Sequence, residues 1–194
     1  MISYTYSPSE EIARWATEVY IKKNPKLGWW VAFTNPTAGP WKKVVAPGEG
    51  GTSVEIYRFI REEERPDLIL VNDDFKVILI VEAKDCVGKL IASDQMTKSI
   101  RVIREMAEIL SQSRNPHWQT RKNYKVLPSF LWMCGNGNDI QKECSLVRKE
   151  FLARWDGPKR DVVNIVVSKD KSENLINTFV YKGGVFQNLD FQLS

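Results

Sequence analysis

The sequence predicts an α/β fold, on three observations. A capped amphipathic segment opens the chain, two apolar runs at 68–71 and 77–81 flank a polar turn, and a long segment of helical spacing leads into a further apolar run near 127–135. With 194 residues, 43% of them hydrophobic and 27% charged, the chain is long enough for one sizeable core and short for two, so a single domain over 1–194 is expected.

Ser7-Pro8-Ser9-Glu10 is a capping box with proline at the first helical position, and Ile12, Trp15, Ala16, Val19 and Tyr20 follow at helical spacing. This predicts a helix over 8–22 with that stripe facing the core. Residues 24–53 are rich in Gly, Pro and aromatics, which predicts a loop-rich insertion with a short strand near 30–33. SVEIYRFI, at 53–60, alternates and reads as a strand. Met96, Ile100, Ile103, Ala107 and Leu110 predict one helix over 89–111, after which a basic loop leads to LPSFLWMCG as a strand and to a helix over 138–155. NIVVS, LINTFVY and VFQNLDF predict C-terminal strands, the last two joined by a tight turn at Gly183-Gly184.

The stretch RPDLILVNDDFKVILIVEAKD, at 65–85, sets charges at the ends of runs apolar enough to be buried on both faces. Unpaired charges are costly there, so they need a use. If the stretch is a hairpin turning at 72–76, Leu70 faces Leu79, Leu68 faces Val81 and Asp67 comes opposite Glu82. Strand alternation sends Glu82 and Lys84 to the same side, where Asp67 joins them. Two carboxylates and an ammonium then converge at one end of a rigid sheet. Adjacent carboxylates call for a hard divalent cation such as Mg2+, and a nearby lysine can orient or deprotonate a water or stabilise a developing oxyanion. That combination suits metal-assisted hydrolysis of a phosphodiester.

Pro66-Asp67, fourteen intervening residues and then Glu82-Ala83-Lys84 resemble the PD-(D/E)xK nuclease superfamily, which includes most type II restriction endonucleases, junction resolvases and several repair nucleases. The order helix, three strands, helix, strand resembles the superfamily core. The resemblance implies a restriction-endonuclease-like core over about 8–134, a central mixed β-sheet flanked by helices, with the insertion at about 24–53 and a C-terminal extension of β strands over about 135–194. It implies Asp67 and Glu82 as metal ligands, the Ala83 carbonyl as a further ligand, and Lys84 as catalytic base or water-orienting residue. Many members add a glutamate from the first helix. Glu11, nearest the edge of the apolar face, is the choice here over Glu18, and a solvated helix surface accounts for both as well. A glutamine or lysine on the helix after the motif is also common among members, and Gln95 occupies that place.

The segment QSRNPHWQTRKNYK, at 112–125, carries Arg114, Arg121, Lys122 and Lys125 without an acid, interleaved with His117, Trp118 and Tyr124. Cations for phosphates and rings that stack suit double-stranded DNA, and a solvated loop anchored by one aromatic is the alternative. Trp41-Lys42-Lys43 is a second candidate contact and Lys159-Arg160 a third. His117 is the single histidine and is given no catalytic role; the lack of a histidine before Asp67 argues against the viral cap-snatching endonucleases.

The net charge of +4, from 28 Lys and Arg against 24 Asp and Glu, is too small by itself to establish a polyanionic partner. Three cysteines without a Cys-x-x-Cys pair encode neither a disulfide framework nor a zinc site, and no apolar run suits a membrane, so a soluble, cytoplasmic protein is expected. The leading expectation is a Mg2+-dependent, sequence-specific DNA endonuclease of the type II restriction class, working as a homodimer or with a partner subunit. A Holliday-junction resolvase, a repair or transposon-end nuclease, or a catalytically silent DNA-binding subunit on the same fold are the alternatives.

Overall fold

The computed structural model describes residues 8–34, 65–158, 161–169, 175–182 and 186–189. Helix α1 (Pro8–Lys23) begins with Glu10 and Glu11 in its first turn and ends with Lys22 and Lys23 in its last, each sign complementing the helix dipole. A short 3-10 turn, Pro25–Leu27, leads to β1 (Trp29–Thr34). Strands β2 (Leu68–Asn72) and β3 (Val77–Lys84) form the hairpin, and helices α2 (Val87–Ile91), α3 (Ser93–Gln112) and α4 (Pro116–Gln119) lead to β4 (Lys125–Met133). Helix α5 (Ile140–Arg154) and strands β5 (Val163–Lys169), β6 (Leu175–Lys182) and β7 (Phe186–Leu189) complete the described chain.

All seven strands lie in one sheet in the order β1-β2-β3-β4-β5-β6-β7. β3–β4 and β4–β5 pair in parallel and the other neighbours antiparallel, which makes the sheet mixed. Alternation divides its core into two layers. Ile69, Val71, Ile78, Ile80, Phe130 and Trp132 pack with α3 and α5 residues such as Met96, Ile103, Val147 and Phe151. Leu68, Leu70, Leu79, Val81, Leu127 and Leu131 pack on the other face with Ala13, Ala16 and Ile21 of α1. Helices cover both faces, which is why β2 and β3 read as unbroken apolar runs. The predicted register holds, with Leu70 against Leu79 and Leu68 against Val81.

Three expectations change. Of the expected α1 stripe, Ala16 is buried and Trp15 and Tyr20 pack partly buried against the core, but Ile12 is 42% exposed, and the most buried face also carries Glu10, Ala13, Arg14, Thr17, Glu18 and Ile21. Small Ala13, Ala16 and Thr17 let the helix lie close to the sheet, and the inward charges have partners: Arg14 faces Asp67, and Glu18 accepts from the Thr34 hydroxyl at 2.6 Å. The strand expected near 30–33 forms as β1, but it belongs to the main sheet although it falls within the stretch read as an insertion, pairing antiparallel with β2 with a bulge between Val31 and Phe33. The helix expected over 89–111 is two helices, because Ala92 adopts extended dihedrals (φ −51°, ψ 134°) between Ile91 and Ser93. No Pro or Gly marks that break. The strand expected at 53–60 and the Gly183-Gly184 turn lie outside the described residues.

The turn between β2 and β3 is clamped from outside. Asp73 accepts four hydrogen bonds: from Arg121 Nε (2.7 Å) and a terminal Arg121 nitrogen (3.1 Å), from the Tyr124 hydroxyl (2.8 Å) and from Trp30 Nε1 (3.0 Å). These donors, Arg121 foremost, hold the Asp73 carboxyl down at about 2, against an ordinary 3.8. A lowered folded-state pKa means that the clamp's contribution is fully present above about pH 4 and lost as pH falls through 2. The melting-temperature difference between the native protein and Asp73→Asn should therefore shrink between pH 4 and pH 2; a difference constant over that range would remove the clamp from the acid response. For α1, Ala13→Leu should cost about 1–3 kcal/mol in denaturant unfolding by overpacking the sheet contact, whereas Ile12→Gln should stay within about 0.5 kcal/mol.

Candidate functional site

Asp67 stands at the mouth of β2, directly across from the end of β3. Its N–H donates to the Val81 carbonyl (3.0 Å) and its Oδ2 accepts from the Ala83 N–H (2.7 Å), so backbone geometry fixes the carboxylate. Glu82 is 6% exposed. Its Oε2 accepts from Ser99 Oγ on α3 at 3.4 Å, while its Oε1 is buried without a hydrogen-bond partner. Lys84 donates from Nζ to the Ala83 carbonyl at 2.6 Å and lies 3.4 Å from Glu10 Oε1. Arg14 reaches to 3.9 Å from Asp67 Oδ1, both side chains being nearly inaccessible.

The site is therefore assembled across the end of the sheet. Glu10 and Arg14 enter from α1 over one face, and Ser99 enters from α3 over the other. Gln95 extends the second arm, donating from Nε2 to Ser99 Oγ at 3.3 Å. Three carboxylates, Glu10, Asp67 and Glu82, share the space with two cations, Arg14 and Lys84. Burial, followed by the neighbouring charge of Asp67, pushes the Glu82 carboxyl well above the usual range. The same two causes, opposed by Lys84, raise Glu10 to about 7. Burial alone would lower the Lys84 ammonium, but the charges of Asp67, Glu10 and Glu82 outweigh it and hold the pKa above its ordinary value.

Asp67, Glu82 and Lys84 thus come together as the hairpin register required, and Gln95 reaches the cluster through Ser99. The first-helix acid at the site is Glu10 and not Glu11, because the inward face runs through Glu10, Ala13, Arg14 and Thr17 at three- and four-residue spacing. That spacing is present in the sequence but is concealed by the stronger apolar stripe beside it. Ser99 has no signal of its own beyond lying one helical turn from Gln95.

The basic segment is elsewhere. Lys125 pairs with Val77 and Phe130 with Glu82, so five residues of strand separate this loop from the acids, about 16 Å at the usual rise. Arg121 is spent within the protein: besides Asp73 it donates to the His117 carbonyl (2.8 Å) and lies 5.1 Å from the Trp30 ring centre. Its side chain is 14% exposed, which corrects its reading as a phosphate contact. Lys125 is exposed and pairs with Asp161 at 3.0 Å, and Arg114 and Lys122 are exposed. Lys42 and Lys43, with Lys159 and Arg160, lie outside the described residues.

Among the described residues no group of three or more His, Cys, Asp and Glu side chains converges closely enough to hold a metal ion. The oxygen set that remains is Asp67, Glu82 and the Ala83 carbonyl, with Glu82 Oε1 lacking a partner. Such a set fits a hard cation that keeps several of its waters, as magnesium does. Comparison of the chain with protein-family models, with curated proteins and with solved structures returned no match. Among the described residues no helix is long and apolar enough to cross a membrane.

The geometry assigns Arg121 to stability. Arg121→Ala should lower the unfolding free energy by about 1–3 kcal/mol, as expected for hydrogen bonds to a charged partner. Arg114→Ala with Lys122→Ala should leave it unchanged. An unaltered denaturation midpoint in Arg121→Ala would return this arginine to the candidate DNA contacts.

Proposed function

We propose that the chain is a magnesium-dependent DNA endonuclease on a restriction-endonuclease-like core, of the sequence-specific restriction type and working as a dimer or with a partner subunit. One observation carries the reading: Asp67, Glu82 and Lys84 meet at the ends of two adjacent central strands, and one buried oxygen of Glu82 has nothing to bond. The order α1, β1, β2, β3, α3, β4 further supports the core, and the antiparallel hairpin followed by a parallel β4 supplies its mixed sheet.

Asp67 and Glu82 would hold the ion, with the Ala83 carbonyl as a further oxygen. Magnesium bound there would polarise the phosphoryl oxygen and lower the pKa of its water. Lys84, beside these carboxylates, would orient or deprotonate the attacking water or stabilise negative charge developing on the phosphate oxygens. Ser99 fixes one oxygen of Glu82 and so turns the other inward. Thr34 pairs with Leu68, beside Asp67, so the chain leaves β1 and re-enters β2 at the end of the sheet that carries the acids.

Asp67→Ala and Glu82→Ala should each abolish Mg2+-dependent cleavage of mixed-sequence plasmid while keeping the fold by circular dichroism. Lys84→Ala should slow single-turnover cleavage by about two to four orders of magnitude with little loss of DNA affinity in Ca2+, because its contribution is made in the transition state. Arginine should not restore it, being wider and planar. Normal cutting by Lys84→Ala, or failure through lost DNA binding, would overturn the assignment.

A further inference from the structure

We propose that Glu10 is a positioning residue for Lys84 and not a ligand of the metal, an inference that rests on the nuclease reading above. The Lys84 ammonium sits between two acceptors, the Ala83 carbonyl at 2.6 Å and Glu10 Oε1 at 3.4 Å. That carbonyl is one of the oxygens the ion would use. Lys84 therefore has to leave it before it can face a cation, and Glu10 is the acid already beside the ammonium to receive it. Without Glu10, a flexible four-carbon side chain would return to the carbonyl and compete for it.

Two further observations separate Glu10 from the ligands. Glu10 comes from α1, which packs on the Leu79 and Val81 face of the sheet and also brings Arg14 to Asp67, whereas Glu82 is bound from α3 over the other face, so the two faces set Glu10 apart from Glu82. Among the described residues no three acids converge closely enough to bind one ion, so Glu10, Asp67 and Glu82 do not form a three-carboxylate cage. Glu10 is also held in place: it is 8% exposed, on a helix pinned to the sheet by fully buried Ala13 and Thr17. A carboxylate fixed so firmly beside a lysine restricts the rotamers that lysine can reach, which is what a positioned electrostatic group requires.

Three measurements on the full chain test this, with Mn2+ as the metal probe. By electron paramagnetic resonance titration, Glu10→Gln and Glu10→Ala should bind Mn2+ as the native protein does, whereas Asp67→Ala should not bind it. In single-turnover cleavage Glu10→Ala should be slower by about 10–100-fold, the usual effect of removing a residue that orients a catalytic group, and Glu10→Gln, which keeps an acceptor for the ammonium, should recover part of that loss. Reductive methylation of Lys84 in metal-free protein, followed by mass spectrometry, should be faster in Glu10→Ala than in the native chain. Should the alanine variant fail to fold, isosteric Glu10→Gln carries the metal titration. Loss of Mn2+ binding by Glu10→Gln to the extent seen in Asp67→Ala would make Glu10 a ligand and overturn the proposal, as would an unchanged Lys84 labelling rate. A native protein that neither binds Mn2+ nor cuts DNA would instead overturn the nuclease reading, and the labelling contrast at Lys84 would tell the two failures apart.

Discussion

Burial of the Glu82 carboxylate at the end of a doubly covered strand is the constraint on which the rest of the site depends. β3 lies between helices on both faces, and a charge at its end is removed from water almost completely. Asp67, held across from it by the Ala83 N–H, makes ionisation harder still. Replacing such a group of charges with packed hydrophobic residues is often neutral or stabilising, so the arrangement is poor engineering for stability. It is consistent with a carboxylate pair kept ready for a cation, with Lys84 and Arg14 supplying positive charge in the meantime.

That requirement explains the unusual packing of α1. A helix chosen only for core contacts would also turn Ile12 and Val19 to the sheet. Instead Ala13, Ala16 and Thr17 give a close approach, and Glu10, Arg14 and Glu18 face inward where each meets a partner. Trp15 and Tyr20 pack half-buried against the edge of this contact, and Ile12 is left exposed.

The other end of the sheet has a different task. Asp73 gathers donors from β1 and from the segment before β4, so three separate pieces of chain are tied at the hairpin turn. Arg121 is central to the knot, and Trp30 and His117 pack against it and one another. A basic, aromatic segment resembling a nucleic-acid contact in composition is here in part a fastening. The sheet then acts as a rigid spacer, with the fastened turn at one end and the acids at the other.

The sequence by itself determined the hairpin, its register and the meeting of Asp67, Glu82 and Lys84, because these follow from short-range rules: strand alternation and the pairing of apolar with apolar across a turn. It also located most helices and strands, whose periodicity is local. Tertiary structure alone decided which side of α1 faces inward, that Glu10 and not Glu11 meets Lys84, that Ser99 links Gln95 to Glu82, and that Arg121 turns to Asp73, 48 residues away. Each of these depends on where a distant element delivers a partner. A charged side chain goes inward only if an opposite charge or a donor waits there, and nothing in the local pattern of α1 or of residues 112–125 records that the partner exists.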